Sequence, residues 1–229
     1  MVATDSRTEN RSKTRSTVSI PTESGALPIE VTVVAKLPPG TGRTLVGSGL
    51  SQQMKHEEFL DEYNEPSALI GKTNFQKEDP TGIYTFGVDR RDLVFHRHAG
   101  HRVITGISGA KGCVLKFSLS SREEAESTPE KFLEKLYIVR IAADRVFVLR
   151  FSGTVYHQFC PADVSEDGFF AVSVHTNEAG GLSGDLLKQV LANKGNIPLL
   201  TEPAPPAVMR LLAEPDALRH AVEFSLDLD

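Results

Sequence analysis

The stretch LVFHRHAGHRVITGISGAKGCVLKFSL, residues 93–119, decides the fold prediction. It contains three short runs rich in β-branched and aromatic residues, and glycine-containing turns separate these runs. Similar runs occur around Tyr84 and at 136–141, 145–151 and 169–174. Many short strands separated by turns at short intervals are typical of a β-sandwich or barrel. The sequence therefore predicts a mainly β fold.

The chain of 229 residues is predicted to form one domain behind a short tail. Residues 1–17 are polar and have too few large apolar side chains to offset the entropy of ordering, so we predict a disordered tail there. Residues 18–229 are predicted as a single domain with a barrel core at about 82–176. From about 182 to 222 the apolar spacing becomes helical, which indicates a helical C-terminal extension.

Further elements are predicted on either side of the barrel core. The β-branched run Ile29–Lys36 and the alternating C-terminal segment VEFSLDLD are typical of strands. Helices are predicted at 55–63, within a charged insertion at 120–135, at 207–212 and at 217–222.

Charge and composition exclude several classes of partner. The net charge of -5 and the pI near 5.8 give no basic surface for nucleic acid or anionic lipid. No apolar run is long enough to span a bilayer, and the N-terminus has no signal-peptide core. The two cysteines, Cys113 and Cys160, are too few for a disulfide framework. We therefore expect a cytoplasmic protein with no nucleic-acid or membrane partner.

The pair His96 and His98 is the strongest candidate for a metal-binding element. Residues two apart on a strand project from the same face, so both imidazoles can reach one ion. Imidazole is the commonest neutral ligand of zinc, iron, copper and nickel. The competing interpretation is a polar segment of a surface strand.

A third candidate ligand, His157, follows the apolar run at 146–151 and the tripeptide Ser-Gly-Thr. Gly153 is predicted to form a tight turn there, so that His157 lies on the returning strand. The competing interpretation is a plain hairpin with an exposed histidine.

Together these segments resemble the two motifs of the cupin superfamily, in which His-x-His and a distant single His bind one metal. The resemblance covers about Tyr84 to Val174. Gly109 matches the final glycine of the first motif, whereas Arg102 occupies the position of its glutamate. The resemblance implies a cupin-type double-stranded β-helix, or jelly-roll barrel, and a homodimer that covers exposed strand edges.

The resemblance also implies a site made by His96, His98 and His157, with His101 as an alternative fourth ligand if the chain turns at 99–100. The implied cofactor is a divalent metal ion, Fe²⁺ foremost, with Zn²⁺, Ni²⁺ and Mn²⁺ as alternatives. Three neutral imidazoles leave coordination positions open for oxygen or a substrate.

These features predict a metal-dependent enzyme, a nonhaem Fe(II) dioxygenase that acts on a small molecule. Tyr156 and Arg150 are the candidate catalytic residues, and His175 is a candidate for a supporting or substrate-binding role. Two alternatives remain: a nonenzymatic small-molecule-binding or sensor cupin, and a cupin isomerase or epimerase.

The stretch LPPGTGRTL, residues 37–45, resembles a phosphate-binding loop after a strand. Leu37 replaces its first glycine and Arg43 its lysine, and the residues that follow do not predict a convincing helix. Nucleotide binding is therefore not expected.

Overall fold

The computed structural model describes residues 15–22, 26–62, 65–91, 94–192 and 200–228. Within them the strands form two sheets of eight and six strands, which confirms the mainly β prediction. The strands are β1 Thr17–Ile20, β2 Ile29–Lys36, β3 Phe59–Glu62, β4 Glu65–Gly71, β5 Gly82–Val88, β6 His96–Arg97, β7 His101–Ser108, β8 Cys113–Ser118, β9 Leu136–Ile141, β10 Arg145–Ser152, β11 Tyr156–Pro161, β12 Phe169–Thr176, β13 Glu202–Pro203 and β14 Val222–Leu226.

Five α-helices and one 3₁₀ turn are described besides the strands. They are α1 Thr41–Gln53, the 3₁₀ turn Phe75–Lys77, α2 Arg122–Ser127, α3 Glu130–Glu134, α4 Gly184–Leu191 and α5 Pro206–Leu212. None of the helices in the described ranges has the length and apolar character needed to cross a membrane.

The two sheets face each other across an aromatic core. The larger sheet has the order β1-β2-β10-β7-β12-β5-β4-β3 and the smaller one β13-β6-β11-β8-β9-β14. The ring centroids of Phe117 in the smaller sheet and Phe151 in the larger sheet are 5.7 Å apart. Those of Phe159 in the smaller sheet and Phe169 in the larger sheet are 5.9 Å apart. All four rings are almost fully buried. Burial of aromatic surface on both inner faces therefore holds the sheets together.

The sheets extend beyond the predicted barrel core. Strands β1 to β4 precede residue 82, and β14 pairs in parallel with β9 as the closing strand. The predicted disordered tail lies outside the described residues up to residue 14, and Thr17 already belongs to β1.

Two of the predicted helices are wrong. Residues 55–63 have helix-favouring charges, but Phe59–Glu62 pairs with β4 and forms an edge strand. Sheet pairing overrides local propensity there. Residues 217–222 form turns and the first residue of β14. The predicted helix at 207–212 is confirmed by α5.

The expectation that no helix follows the glycine-containing stretch at 37–45 is wrong, because helix α1 begins at Thr41 within that stretch. The amides of Gly40 and Gly42 donate to the carboxylate of Asp144, at 3.0 and 2.6 Å. Free amides at a helix N-terminus are what a phosphate-binding loop offers to a nucleotide. In this chain a carboxylate from the β9–β10 turn occupies that position.

Candidate metal centre

The pairing of β6 with β11 brings His96 and His157 together. His96 lies directly opposite His157 in the antiparallel register. His98 follows β6 immediately, and its backbone amide donates to the Gly153 carbonyl at 2.7 Å. The amide of Gly153 donates in turn to the Gly100 carbonyl. The β10–β11 turn thus fixes the backbone that carries His98.

The three imidazoles converge on one point between the sheets. One ring nitrogen of each of His96, His98 and His157 lies within 4.8 Å of the other two. The ring centroids are 4.5 to 5.2 Å apart. Imidazole nitrogens gathered in this way are suited to a divalent transition metal.

Backbone carbonyls orient two of the rings. His96 Nδ1 lies 3.1 Å from the Val94 carbonyl, and His157 Nδ1 lies 2.8 Å from the Val155 carbonyl. A carbonyl oxygen only accepts hydrogen bonds, so Nδ1 must carry the proton in both rings. Nε2 then presents its lone pair, as in metal-binding histidines whose other nitrogen donates to a carbonyl.

Burial keeps these rings neutral. It lowers the pKa of His96 to about 4 and lowers the pKa of His98 and His157 well below their ordinary values. The positive charge of Arg102 lowers all three pKa values further. Neutral imidazole is the form that binds a metal ion, so the site is in its ligating state at pH 7.

A carboxylate that was not predicted lies beside the histidines. Glu65, the first residue of β4, is 8% exposed and places Oε2 3.1 Å from His96 Nε2. Because the proton of His96 is on Nδ1, two lone pairs face each other across this distance. Such a contact is favourable only with a cation or a proton between the two atoms. The three neutral imidazoles therefore fit a divalent metal ion, and the carboxylate of Glu65 lies next to His96, outside the group of three mutually close ligand atoms.

A small cavity opens in front of the histidines. Its volume is about 40 Å³. Its apolar wall consists of Phe86, Ile104, Phe151 and Phe159. His98 also lines an outer cavity of about 310 Å³, and its Nδ1 is 3.2 Å from Thr201 Oγ1. Among the described lining residues, His98 is the one common to the inner and outer cavities.

His175, which lines the polar wall of the inner cavity, belongs to a second group of ionisable residues. His175 Nδ1 and the Tyr84 hydroxyl each lie 3.1 Å from Glu178 Oε1, and the two rings stack 4.2 Å apart. Burial raises the pKa of Glu178, whereas Arg102 lowers it. The opposite strand leaves room for this carboxylate because Gly82 has no Cβ, which would lie 2.2 Å from Glu178 Oε2.

The structure does not bring His101 to the metal-ligand group. His101 and Arg102 are neighbours on β7, so their side chains project to opposite faces of the sheet. Arg102 lines the cavity, and His101 is absent both from its described lining and from the histidine group.

Tyr156 and Arg150 also lie away from the cavity. Tyr156 precedes His157 on β11, so its side chain projects from the other face of the sheet. There its ring centroid lies 5.3 Å from that of Phe132. Arg150 is exposed on the outer face of β10, where its Nε donates to Glu30 at 2.7 Å. Neither side chain contributes to the described lining of the site.

Comparison with known proteins gives structural neighbours only. No protein-family model matches the chain, and no curated protein matches its sequence. Similar solved structures include an RmlC-like cupin from Ralstonia eutropha, with 10% identity, a TM-score of 0.30 and coverage of 49% of this chain and 56% of that one. The vicilin of Solanum melongena has 10% identity, a TM-score of 0.37 and coverage of 73% and 47%.

Oxalate decarboxylase of Bacillus subtilis is a further neighbour, with 14% identity, a TM-score of 0.37 and coverage of 63% of this chain and 36% of that one. The chain spans about half the length of the first two neighbours and less of this one. In this chain the smaller sheet carries the His-x-His segment on β6 beside a single histidine on the paired strand β11.

Proposed function

We propose that this protein is a metal-dependent enzyme of cupin type, a nonhaem Fe(II) dioxygenase that acts on a small molecule. The observation that carries the proposal is the convergence of His96, His98 and His157, with their ring nitrogens within 4.8 Å of one another beside a cavity. A purely structural histidine cluster gains nothing from three buried lone pairs directed at one point.

The donor set favours a redox-active divalent ion. We propose that His96, His98 and His157 are the neutral ligands and that Glu65 supplies one negative charge. Imidazole with a carboxylate and open coordination positions is the donor pattern of nonhaem Fe(II) oxygenases, although Mn²⁺, Ni²⁺ and Zn²⁺ accept the same atoms. Bound there, Fe(II) would supply redox chemistry with dioxygen at its open positions.

The surrounding residues prepare the site for such a reaction. The carbonyls of Val94 and Val155 hold the rings of His96 and His157 in the ligating tautomer. The rings of Phe151 and Phe159 wall the cavity and exclude bulk water, which strengthens electrostatic interactions within it.

Metal analysis of untagged protein tests the first half of the proposal. Protein expressed with iron and kept anaerobic is expected to contain about one iron per chain, and His157→Ala is expected to contain none. The exposed residue His56 provides the control His56→Ala, which should retain its metal. Equal metal content in wild type and His157→Ala would overturn the metal site.

Oxygen consumption tests the second half. Iron-loaded protein is expected to consume dioxygen only when a substrate from a panel of small organic acids, thiols and phenols is present. Stoichiometric metal with ligand binding but no oxygen consumption would overturn the dioxygenase and favour the binding or sensor cupin. Conversion of a substrate without oxygen would favour the isomerase or epimerase.

A further inference from the structure

A groove lies between helix α5 and the outer face of the smaller sheet. Lys116 on β8 and Gln158 on β11 are directly opposite each other in the antiparallel register. Their neighbours Leu115 and Phe159 are buried in the core between the sheets, so alternation directs Lys116 and Gln158 to the outer face. The walls of this α5 groove include Phe95, Lys116, Gln158, Met209, Leu212 and Leu218. Its volume of about 280 Å³ is close to the lower limit for small-molecule sites.

The α5 groove is separate from the metal centre. Gln158 follows His157 on β11, and Phe95 precedes His96, so the two members of each pair project to opposite faces of the smaller sheet. The described linings of the groove and of the inner cavity have no residue in common. A ligand in the groove therefore does not touch the three histidines.

Hydrogen-bond donors form the polar end of the groove. Lys116 Nζ donates to Gln158 Oε1 at 2.9 Å. Because an ammonium group only donates, this contact fixes which end of the amide faces Lys116 and leaves Nε2 as a donor. Gln158 is 6% exposed, and no acceptor for its Nε2 is found within the described ranges. The ammonium and the amide can thus donate to one ligand group that carries two acceptors.

The rest of the groove is apolar. Met209 and Leu212 come from α5, Leu218 comes from the turns that follow it, and the ring of Phe95 lies on the sheet side. The described lining contains no acidic residue. A purely apolar ligand would leave the donors unsatisfied, and a small hydrophilic anion would leave the apolar wall in water. An apolar chain that ends in an anionic group satisfies both parts of the groove.

We propose that the α5 groove binds an unbranched carboxylic acid of medium chain length. Its carboxylate accepts hydrogen bonds from Lys116 Nζ and Gln158 Nε2, and its alkyl chain lies along Met209, Leu212 and Leu218. At the roughly 30 Å³ that a water-sized group occupies in a liquid, the groove holds about nine non-hydrogen atoms, which corresponds to an acid of about six to eight carbons. The flexible side chain of Met209 can adapt to such a chain.

Matched anionic and neutral probes test the role of the charge. Calorimetric titration of the full chain with octanoate and with octanamide, which have the same chain length, measures the contribution of the carboxylate. Octanoate is expected to bind about 10- to 100-fold more tightly, because its hydrogen bonds with an ammonium group are charge-assisted. Equal affinities, or no octanoate binding up to about 10 mM, would overturn the proposal.

A series of acids from butanoate to octanoate tests the apolar wall. Each added methylene is expected to tighten binding about two- to fourfold, as for a group that is half to fully buried. An affinity that does not depend on chain length would show that the alkyl chain stays in water, and the proposal would fail.

Two substitutions locate the charge that is responsible. Lys116→Met keeps a flexible apolar side chain and removes the ammonium group, so it is expected to bind octanoate and octanamide equally. Lys111→Met is the control, because Lys111 is an exposed residue of the turn before β8, and it should behave as wild type. An unchanged preference in Lys116→Met would contradict the proposal. If Lys116→Met does not fold, the two probes in wild type still decide.

Further measurements separate this site from the proposed function and from other occupants. Octanoate affinity is expected to be the same with bound metal, with a chelator and in His157→Ala. Binding that requires the metal would assign the acid to the inner cavity and overturn the proposal. A dimer that octanoate dissociates would show that a second copy of the chain occupies the groove, which would also overturn it. Octanoate binding by a protein that takes up no metal would leave this site standing while the proposed function fails.

Discussion

Replacement of Glu65 by glutamine is expected to have opposite effects on the apo and the metal-bound protein. In the apo protein, Glu65 Oε2 faces the lone pair of His96 Nε2 at 3.1 Å. The amide nitrogen of glutamine can donate to that lone pair, and one buried hydrogen bond contributes about 1 kcal/mol. Apo Glu65→Gln should therefore be more stable than apo wild type, by about 2–4 °C in Tm for a chain of this size.

The metal-bound protein should respond in the other direction. Loss of groups that support a metal ligand weakens metal binding by about 10- to 100-fold, and loss of the buried negative charge beside His96 should reach about the upper value. A 100-fold weaker affinity corresponds to about 2.7 kcal/mol. With excess metal, the variant should lose that much ligand stabilisation, and its unfolding free energy should lie roughly 2 kcal/mol below that of wild type.

Calorimetric melting with a chelator and with excess Mn²⁺, together with competition against a chelating dye, measures both effects. Glu58→Gln is the matched control, since Glu58 pairs with Lys72 on the surface and should change neither quantity by much. The reasoning is refuted if apo Glu65→Gln is less stable than wild type, or if its metal affinity stays within about threefold of wild type.

Three further predictions concern the scaffold. Gly153→Ala places a Cβ 2.9–3.0 Å from three carbonyl oxygens of the turn that carries His98, so it should lower the unfolding free energy by about 1–3 kcal/mol and weaken metal binding. Gly47 has open space around it, so the control Gly47→Ala should change neither the unfolding free energy nor the metal affinity by much. Asp144→Ala removes both amide contacts at the start of α1 and should lower the free energy of unfolding in urea by roughly 2–3 kcal/mol; an unchanged midpoint would contradict this. The pKa of Glu124 is lowered to about 2, first by a lysine hydrogen bond and then by a backbone amide, so its stabilisation is complete above its ordinary value of 4.5 and is lost as the pH falls towards 2. The stability difference between wild type and Glu124→Gln should therefore shrink over that pH range in urea titrations, and a constant difference would argue against the ion pair.

The histidine cluster could be predicted from the sequence because its parts are local. Alternation on a strand relates His96 to His98, and a glycine turn brings back His157. Pairing of the two segments then places all three together. Glu65 could not be found in this way, because it enters the site from β4 of the other sheet, and no spacing in the sequence relates it to His96.

Arg102 was visible only as a departure from the cupin motif. Alternation along β7 places it on the same face as Ile104, which is enough to predict that it points inward. What alternation cannot supply is which acids lie near Arg102, because Glu178 and Glu65 come from other parts of the chain. The helix predicted at 55–63 failed for a similar reason, since the pairing partner of Phe59 is Ala68 on β4.

The exchange of a motif glutamate for Arg102 changes how the site balances charge. A glutamate at that position would neutralise part of the metal charge, whereas an arginine adds to it. The carboxylate of Glu65 supplies a negative charge from the other sheet and lines the same cavity as Arg102. A bound metal and an anion in the cavity should therefore bind with positive coupling, and by linkage each should tighten the binding of the other by the same factor.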